Sequence, residues 1–233
     1  MNIISKFDNC AELKSDIEKY ISLLTTKKEF PSTNELKSIA KGIILLKTVA
    51  FYDGESHYKN SMIFDILAAV DSLTGNSLRQ FNYVIRSFIE NAARTLLDLS
   101  DDDETGVNQL FKNLTLQFGS TEERIKSLDY INGEYGKSCM YVHSNRKANI
   151  SIPLYYSDFM INDDFNRKNL LASINRTLLL VRKVIELFIY SNPYKVENAF
   201  FRNKQKLSFL LGDRLYTIFK QEIAKADTHK QLS

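Results

Sequence analysis

The sequence predicts an all-α protein, a multi-helix bundle, and three observations carry that prediction. Glycine (8) and proline (3) are scarce in 233 residues, whereas sheet-rich folds spend both heavily on turns. Apolar residues recur at three- and four-residue steps through most of the chain, the spacing of one helix face. Strand-like alternation is confined to Ile150-Ser151-Ile152-Pro153-Leu154. With 44% hydrophobic and 25% charged residues, the composition is that of a globular chain with a real core. The length suits one large domain or two small ones, since domains usually run ~100–200 residues.

Taken in order, the first helix is expected over 11–25, where Leu13, Ile17, Tyr20, Ile21 and Leu24 share a face. Pro31-Ser32-Thr33-Asn34-Glu35 opens a second. Proline tolerates a first turn, and a hydroxyl or amide satisfies an orphan N–H. That helix runs through Ile39, Ile43, Leu46 and Ala50 and stops at Asp53-Gly54-Glu55. A third spans 58–72, with Ile63, Ile66, Leu67 and Val70 facing in. Thr74-Gly75-Asn76-Ser77 is a turn and cap that leads into the strongest helix, 78–99. Its acidic successor, 100–106, is a loop that its charge keeps out of the core. Helices follow at 107–117 and 121–142, separated by Phe118-Gly119-Ser120. Residues 145–161 lose the helical period and read as one short extended or hairpin insertion. Helix returns over 164–190 on Leu170, Ile174, Leu178, Val181, Ile185 and Phe188. Ser191-Asn192-Pro193 breaks it, and a last helical region covers 194–225. Helices this dense usually share one core, so one domain over 1–233 is expected, with N-terminal helices 11–72, a middle section 78–145 and C-terminal helices 164–225.

Several chemistries find no support in the residues. The 31 basic and 28 acidic side chains leave a formal charge of +3, too small for a dedicated nucleic-acid coat, though not against a local basic patch. Cys10 and Cys139 are the only cysteines; they make no disulfide framework and read as free thiols in a reducing compartment. Residues 1–8 lack the apolar stretch of a signal peptide, and no run of ~18 apolar residues suggests a membrane span. A cytoplasmic protein with no membrane association is expected. No phosphate-binding loop, Cys-x-x-Cys pair, His-Glu-x-x-His helix or Gly-x-Ser-x-Gly elbow occurs. The run Asp101-Asp102-Asp103-Glu104 lacks the alternating ligands and glycine of a calcium loop. No metal and no cofactor are therefore expected.

Helix 78–99 is apolar around most of its circumference, through Phe81, Val84, Ile85, Phe88, Ile89, Ala92, Ala93, Leu96 and Leu97. Such a helix sits centrally. Asn82, Arg86, Glu90, Arg94 and Asp98 nevertheless recur every four residues on one face. Two readings stand. The stripe is a solvated edge laced by i,i+4 ion pairs, or it lines a cleft in which Glu90 serves as a general base or orients another group. The C-terminal region poses a similar choice. Arg202, Lys204, Lys206, Arg214 and Lys220 are interleaved with Phe200, Phe201, Phe209, Tyr216 and Phe219, either an ordinary amphipathic helix or a surface that tracks nucleic acid.

Of the three histidines, His57 falls in an expected loop and His229 in a polar tail. His143 ends the helix that carries Tyr135-Gly136-Lys137-Ser138-Cys139-Met140-Tyr141-Val142-His143-Ser144. At a helix C-terminus it is a capping imidazolium or a proton carrier near neutral pH. This Tyr-x-x-x-Cys-x-Tyr-x-His-Ser segment, following a helix with Arg86-Ser87-Phe88-Ile89-Glu90-Asn91-Ala92-Ala93-Arg94, resembles HEPN-type domains over roughly residues 78–145. That resemblance implies an HEPN-like helical bundle of bacterial toxin–antitoxin, abortive-infection or CRISPR-linked kind. Many such domains are metal-independent ribonucleases with an Arg-x(4–6)-His motif, often working across a dimer interface. Here Ser138 and Lys137 stand where the family's arginine would be, and lysine lacks the planar fork that grips a phosphate. Members without the arginine often serve as binding or assembly modules.

The sequence therefore points first to a non-catalytic helical subunit of a bacterial multi-gene defence system against phage or plasmids. Its expected partners are a larger protein of the same operon, an ATPase or nuclease, or a second copy of itself, with RNA or DNA as a further contact through Arg146, Lys147, Arg202, Lys204 and Lys206. The alternative is an HEPN-type endoribonuclease, with His143 carrying the proton, Lys137 on phosphate and Glu90 or Arg86 orienting the site.

Overall fold

The structure, a computed structural model, describes residues 10–75, 77–142, 153, 156–157 and 166–231. Among these the chain forms nine helices and no strand, a multi-helix bundle. They are α1 (Ala11–Lys27), α2 (Asn34–Ala50), α3 (His57–Ser72), α4 (Leu78–Leu96), α5 (Val107–Phe118), α6 (Glu122–Val142), α7 (Arg167–Ser191), α8 (Pro193–Ala199) and α9 (Lys204–Gln231). Helix starts follow short polar side chains that accept an orphan N–H. Ser56 accepts from Lys59, Ser77 from Gln80, Asn166 from Asn169 and Asn192 from Lys195. At α2 the local chemistry differs, since Ser32 donates to the Glu35 carboxylate and Thr33 makes no cap bond.

α3 and α4 form a tight hairpin, α4 rests on α6, and α7 fills the space between α2 and α6. One continuous apolar cluster runs from Ile17 in α1 to Phe219 in α9, with Phe81 and Phe88 of α4 fully enclosed. α4 is central as its composition requires, because from Phe81 to Leu97 only Tyr83 is exposed. α2 and α7 approach at Gly42, where an added Cβ would lie 2.4 Å from Val181 Cγ1. No helix among the described residues is long and apolar enough to cross a membrane.

Four expectations change in detail. α4 stops at Leu96 rather than 99, because Asp98 turns left-handed (φ 52). There the Leu99 N–H bonds Arg94 O and the Asp98 N–H bonds Thr95 O, the pairing that closes a helix C-terminus. His57 is the first residue of α3, not a loop residue, and its N–H donates to Asp101 Oδ1. The acidic loop is only partly solvated: Asp103 is half-buried and its carbonyl accepts from the Tyr58 hydroxyl. The last helical region is two helices, and α9 itself bends at Gly212, whose φ of 67 suits a residue without a Cβ. The insertion expected near 145–161 lies almost wholly outside the described residues; Pro153, Tyr156 and Ser157 are helical.

Candidate functional site

The polar stripe of α4 turns inward, so it is not a solvated edge. Its first member, Asn82, is fully buried and accepts from Arg176 Nη1 at 2.6 Å. Arg176 comes from α7 and reaches α6 as well. It donates to the Glu134 carboxylate, to Glu134 O at 3.2 Å and to Ser138 Oγ at 2.7 Å. Glu134 is only 2% exposed, and a buried carboxylate demands paired charge and full hydrogen bonding. Lys137 completes the set with Nζ 2.7 Å from Glu134 Oε1, while its own side chain is 59% exposed.

One turn along, Arg86, Glu90 and Tyr135 form a second cluster between α4 and α6. Arg86 Nε lies 3.0 Å from Glu90 Oε1 and 3.1 Å from the Tyr135 hydroxyl, which itself donates to Glu90 Oε1 at 2.9 Å. Burial pushes the Tyr135 phenol well above its ordinary range, and the Glu90 carboxylate adds to the rise, so at neutral pH the tyrosine keeps its proton and stays a donor to Glu90. Further on, Arg94 donates to Asp103 Oδ1 at 2.8 Å and to Thr105 O at 2.8 Å, tying the acidic loop to α4. Asp98 lies beyond the helix end and is exposed.

These pairings set α4 and α6 antiparallel. Tyr135 meets Arg86 and Glu90, whereas Ser138 and Asn82 share Arg176. α6 thus climbs from Glu90 toward the N-terminal end of α4 before the description stops at Val142. His143, Arg146 and Lys147 lie outside the described residues. Of the remaining basic candidates, Arg202 lies across the exposed Phe201 ring (5.2 Å) and Lys204 pairs with Glu197. Lys206 is half-buried. Phe200 and Phe219 are core, and Phe209 and Tyr216 pack against it, so four of the five aromatics face inward as in an ordinary amphipathic helix.

A second polar site lies on the α3–α4 hairpin and was not singled out from the sequence. It is an open groove of about 550 Å³ bordered by His57, Asn60, Ser61, Phe64 and Asp65 of α3 and by Ser87 and Asn91 of α4. Asn91 Nδ2 donates to Asp65 Oδ2 at 2.8 Å, and the Ser87 hydroxyl also bonds the carboxylate. Burial raises the Asp65 carboxyl above the usual range, and the charge of Glu90 raises it further, against those two hydrogen bonds. The signal in the sequence is faint: Ser61 and Asp65, then Ser87 and Asn91, each stand four apart, and only the pairing of the two helices joins them. For the Arg176 cluster the signal was clearer, because Glu134 stands three residues after Ile131, on the buried face of α6.

Among the described residues no group of His, Cys, Asp and Glu side chains is arranged to hold a metal ion, and neither Cys10 nor Cys139 is in a disulfide. The fold and these sites define a helical bundle with a polar seam through its centre. Compared with known proteins, the chain matches no family model, no curated protein and no solved structure.

Proposed function

We propose that this chain is a non-catalytic helical subunit of a bacterial multi-gene defence system against phage or plasmids. It works by contact with a larger protein of the same operon, an ATPase or nuclease, or with a second copy of itself. The observation that carries the non-catalytic reading is the commitment of the stripe. Asn82, Arg86, Glu90, Arg94 and Lys137 each spend hydrogen bonds or charge on another residue of this chain, whereas a general base needs a reacting proton within reach. The defence setting rests on the resemblance to HEPN-type domains alone. Nucleic acid is a secondary contact in this proposal, through Arg146, Lys147, Arg202, Lys204 and Lys206.

One observation favours the endoribonuclease alternative. α4 packs on α6, so Glu90 and Arg86 share an interface with the helix that carries Lys137 and leads to His143. The two readings separate in a single experiment. Purified protein is incubated with tRNA and mRNA in EDTA, beside His143→Ala and Lys137→Ala, and is also expressed with its operon neighbours. Intact RNA and stable co-purification of a larger neighbour are expected. RNA cleavage that disappears in both variants would overturn the subunit reading in favour of the ribonuclease.

A further inference from the structure

Five carboxylates sunk among the helices carry cations of their own chain. Glu90 has Arg86, Asp103 has Arg94, and Glu134 has Arg176 and Lys137. Glu186 has Lys183 and Arg214, and Glu222 has Arg124 and Lys225. Asp65 is half-buried as well, yet its partners among the described residues are neutral, the Asn91 amide and the Ser87 hydroxyl. It faces an open groove of about 550 Å³, within the size range of small-ligand sites. Beside it Phe64, which borders the same groove, is 71% exposed, so its ring is open to a stacking partner.

We propose that this groove binds a guanidinium group, with the Asp65 carboxylate as counter-charge and the Phe64 ring as its stacking surface, and that the group belongs to an arginine of a partner protein. A carboxylate offers about four lone-pair sites; Asn91 and Ser87 use two, which leaves acceptors for the parallel N–H pair of a guanidinium. Its flat face suits an aromatic ring better than a compact ammonium does. Asn60 and Ser61 line the same wall and supply oxygen acceptors for the remaining N–H groups. The groove continues to His57, eight residues and roughly 12 Å along α3 from Asp65, longer than one guanidinium needs. That length fits a side chain arriving on a polypeptide segment. The partner-protein source rests on the subunit reading above, whereas the guanidinium site stands without it.

The test titrates the intact protein with argininamide, citrullinamide and lysinamide, following the Ser61 and Ser87 backbone amides and the Asn91 side-chain amide by NMR. Argininamide should shift all three saturably. Citrullinamide, of the same shape but uncharged, should bind roughly tenfold more weakly, the loss of one charge-assisted interaction. Asp65→Asn should lose the response, and since a carboxamide oxygen still accepts from Asn91, the variant keeps its fold, checked by circular dichroism. Phe64→Leu should weaken it severalfold. Equal responses to citrullinamide, or an undiminished response in Asp65→Asn, would refute the site, and lysinamide binding as tightly as argininamide would refute the guanidinium assignment. Argininamide binding in the absence of any co-purifying neighbour removes a larger neighbour as the source of the arginine and leaves the site. A neighbour that co-purifies equally with Asp65→Asn removes the partner arginine as its source.

Discussion

Asp65 illustrates how one side chain's surroundings set its chemistry. Burial, reinforced by the charge of Glu90, makes the folded protein hold the Asp65 proton more tightly than the unfolded chain does. Its contribution to stability is therefore complete at low pH and fades as pH rises through the folded value. At neutral pH the ionised carboxylate weighs against the fold. Asp65→Asn should accordingly raise the melting midpoint at pH 7 and leave it unchanged at about pH 3, where both side chains are neutral. A midpoint that moves equally at both pH values would contradict this account. The sequence marked neither Asp65 nor Asn91, because an aspartate beside an apolar helix face looks the same whether its neighbour is water or another helix. Glu90 and Arg86 were legible from their four-residue spacing, but their third partner, Tyr135, lies 45 residues from Glu90.

Among the elements, glycine separates packing from propensity. Gly42 lies where α2 meets α7, and a methyl group there would collide with Val181, a branched side chain with little room to yield. Gly42→Ala should cost about 1–3 kcal/mol by overpacking. Gly133 and Gly136 lie within α6 with nothing near an added Cβ, so alanine at either should stabilise by about 0.5–1 kcal/mol through the unfolded chain and the helix backbone. Urea denaturation of the three variants checks both signs. Helix existence was readable for most elements, since periodicity and caps are local. However, Pro153, Tyr156 and Ser157 are helical in a stretch that reads as extended, and the break between α8 and α9 was not legible. Helix ends were less so: the left-handed turn at Asp98 closes α4 with an aspartate, where sequence rules look for glycine or asparagine. The bend at Gly212 was hidden by an apolar pattern that continues on both sides of it.

For the molecule as a whole, the decisive feature is the polar seam where α4, α6 and α7 meet. Arg176 joins Asn82, 94 residues away, to Glu134 and Ser138. Arg176→Ala leaves Glu134 buried with Lys137 alone and should cost about 3–5 kcal/mol in global unfolding. Replacing Arg176 and Glu134 together by methionine should recover most of that loss, since neither charge is then stranded; a double variant as unstable as Arg176→Ala would show that the cost is lost packing. By itself the sequence determined the all-α class, the order of the helices and the central place of α4, because these follow from local spacing, caps and the apolar girth of one segment. Only the tertiary structure decided that the α4 stripe faces α6 and the acidic loop rather than water, and that Asp65 sits over a groove among neutral partners. Periodicity places a residue on a face of its own helix, but which helix covers that face is settled by packing between segments far apart in the chain.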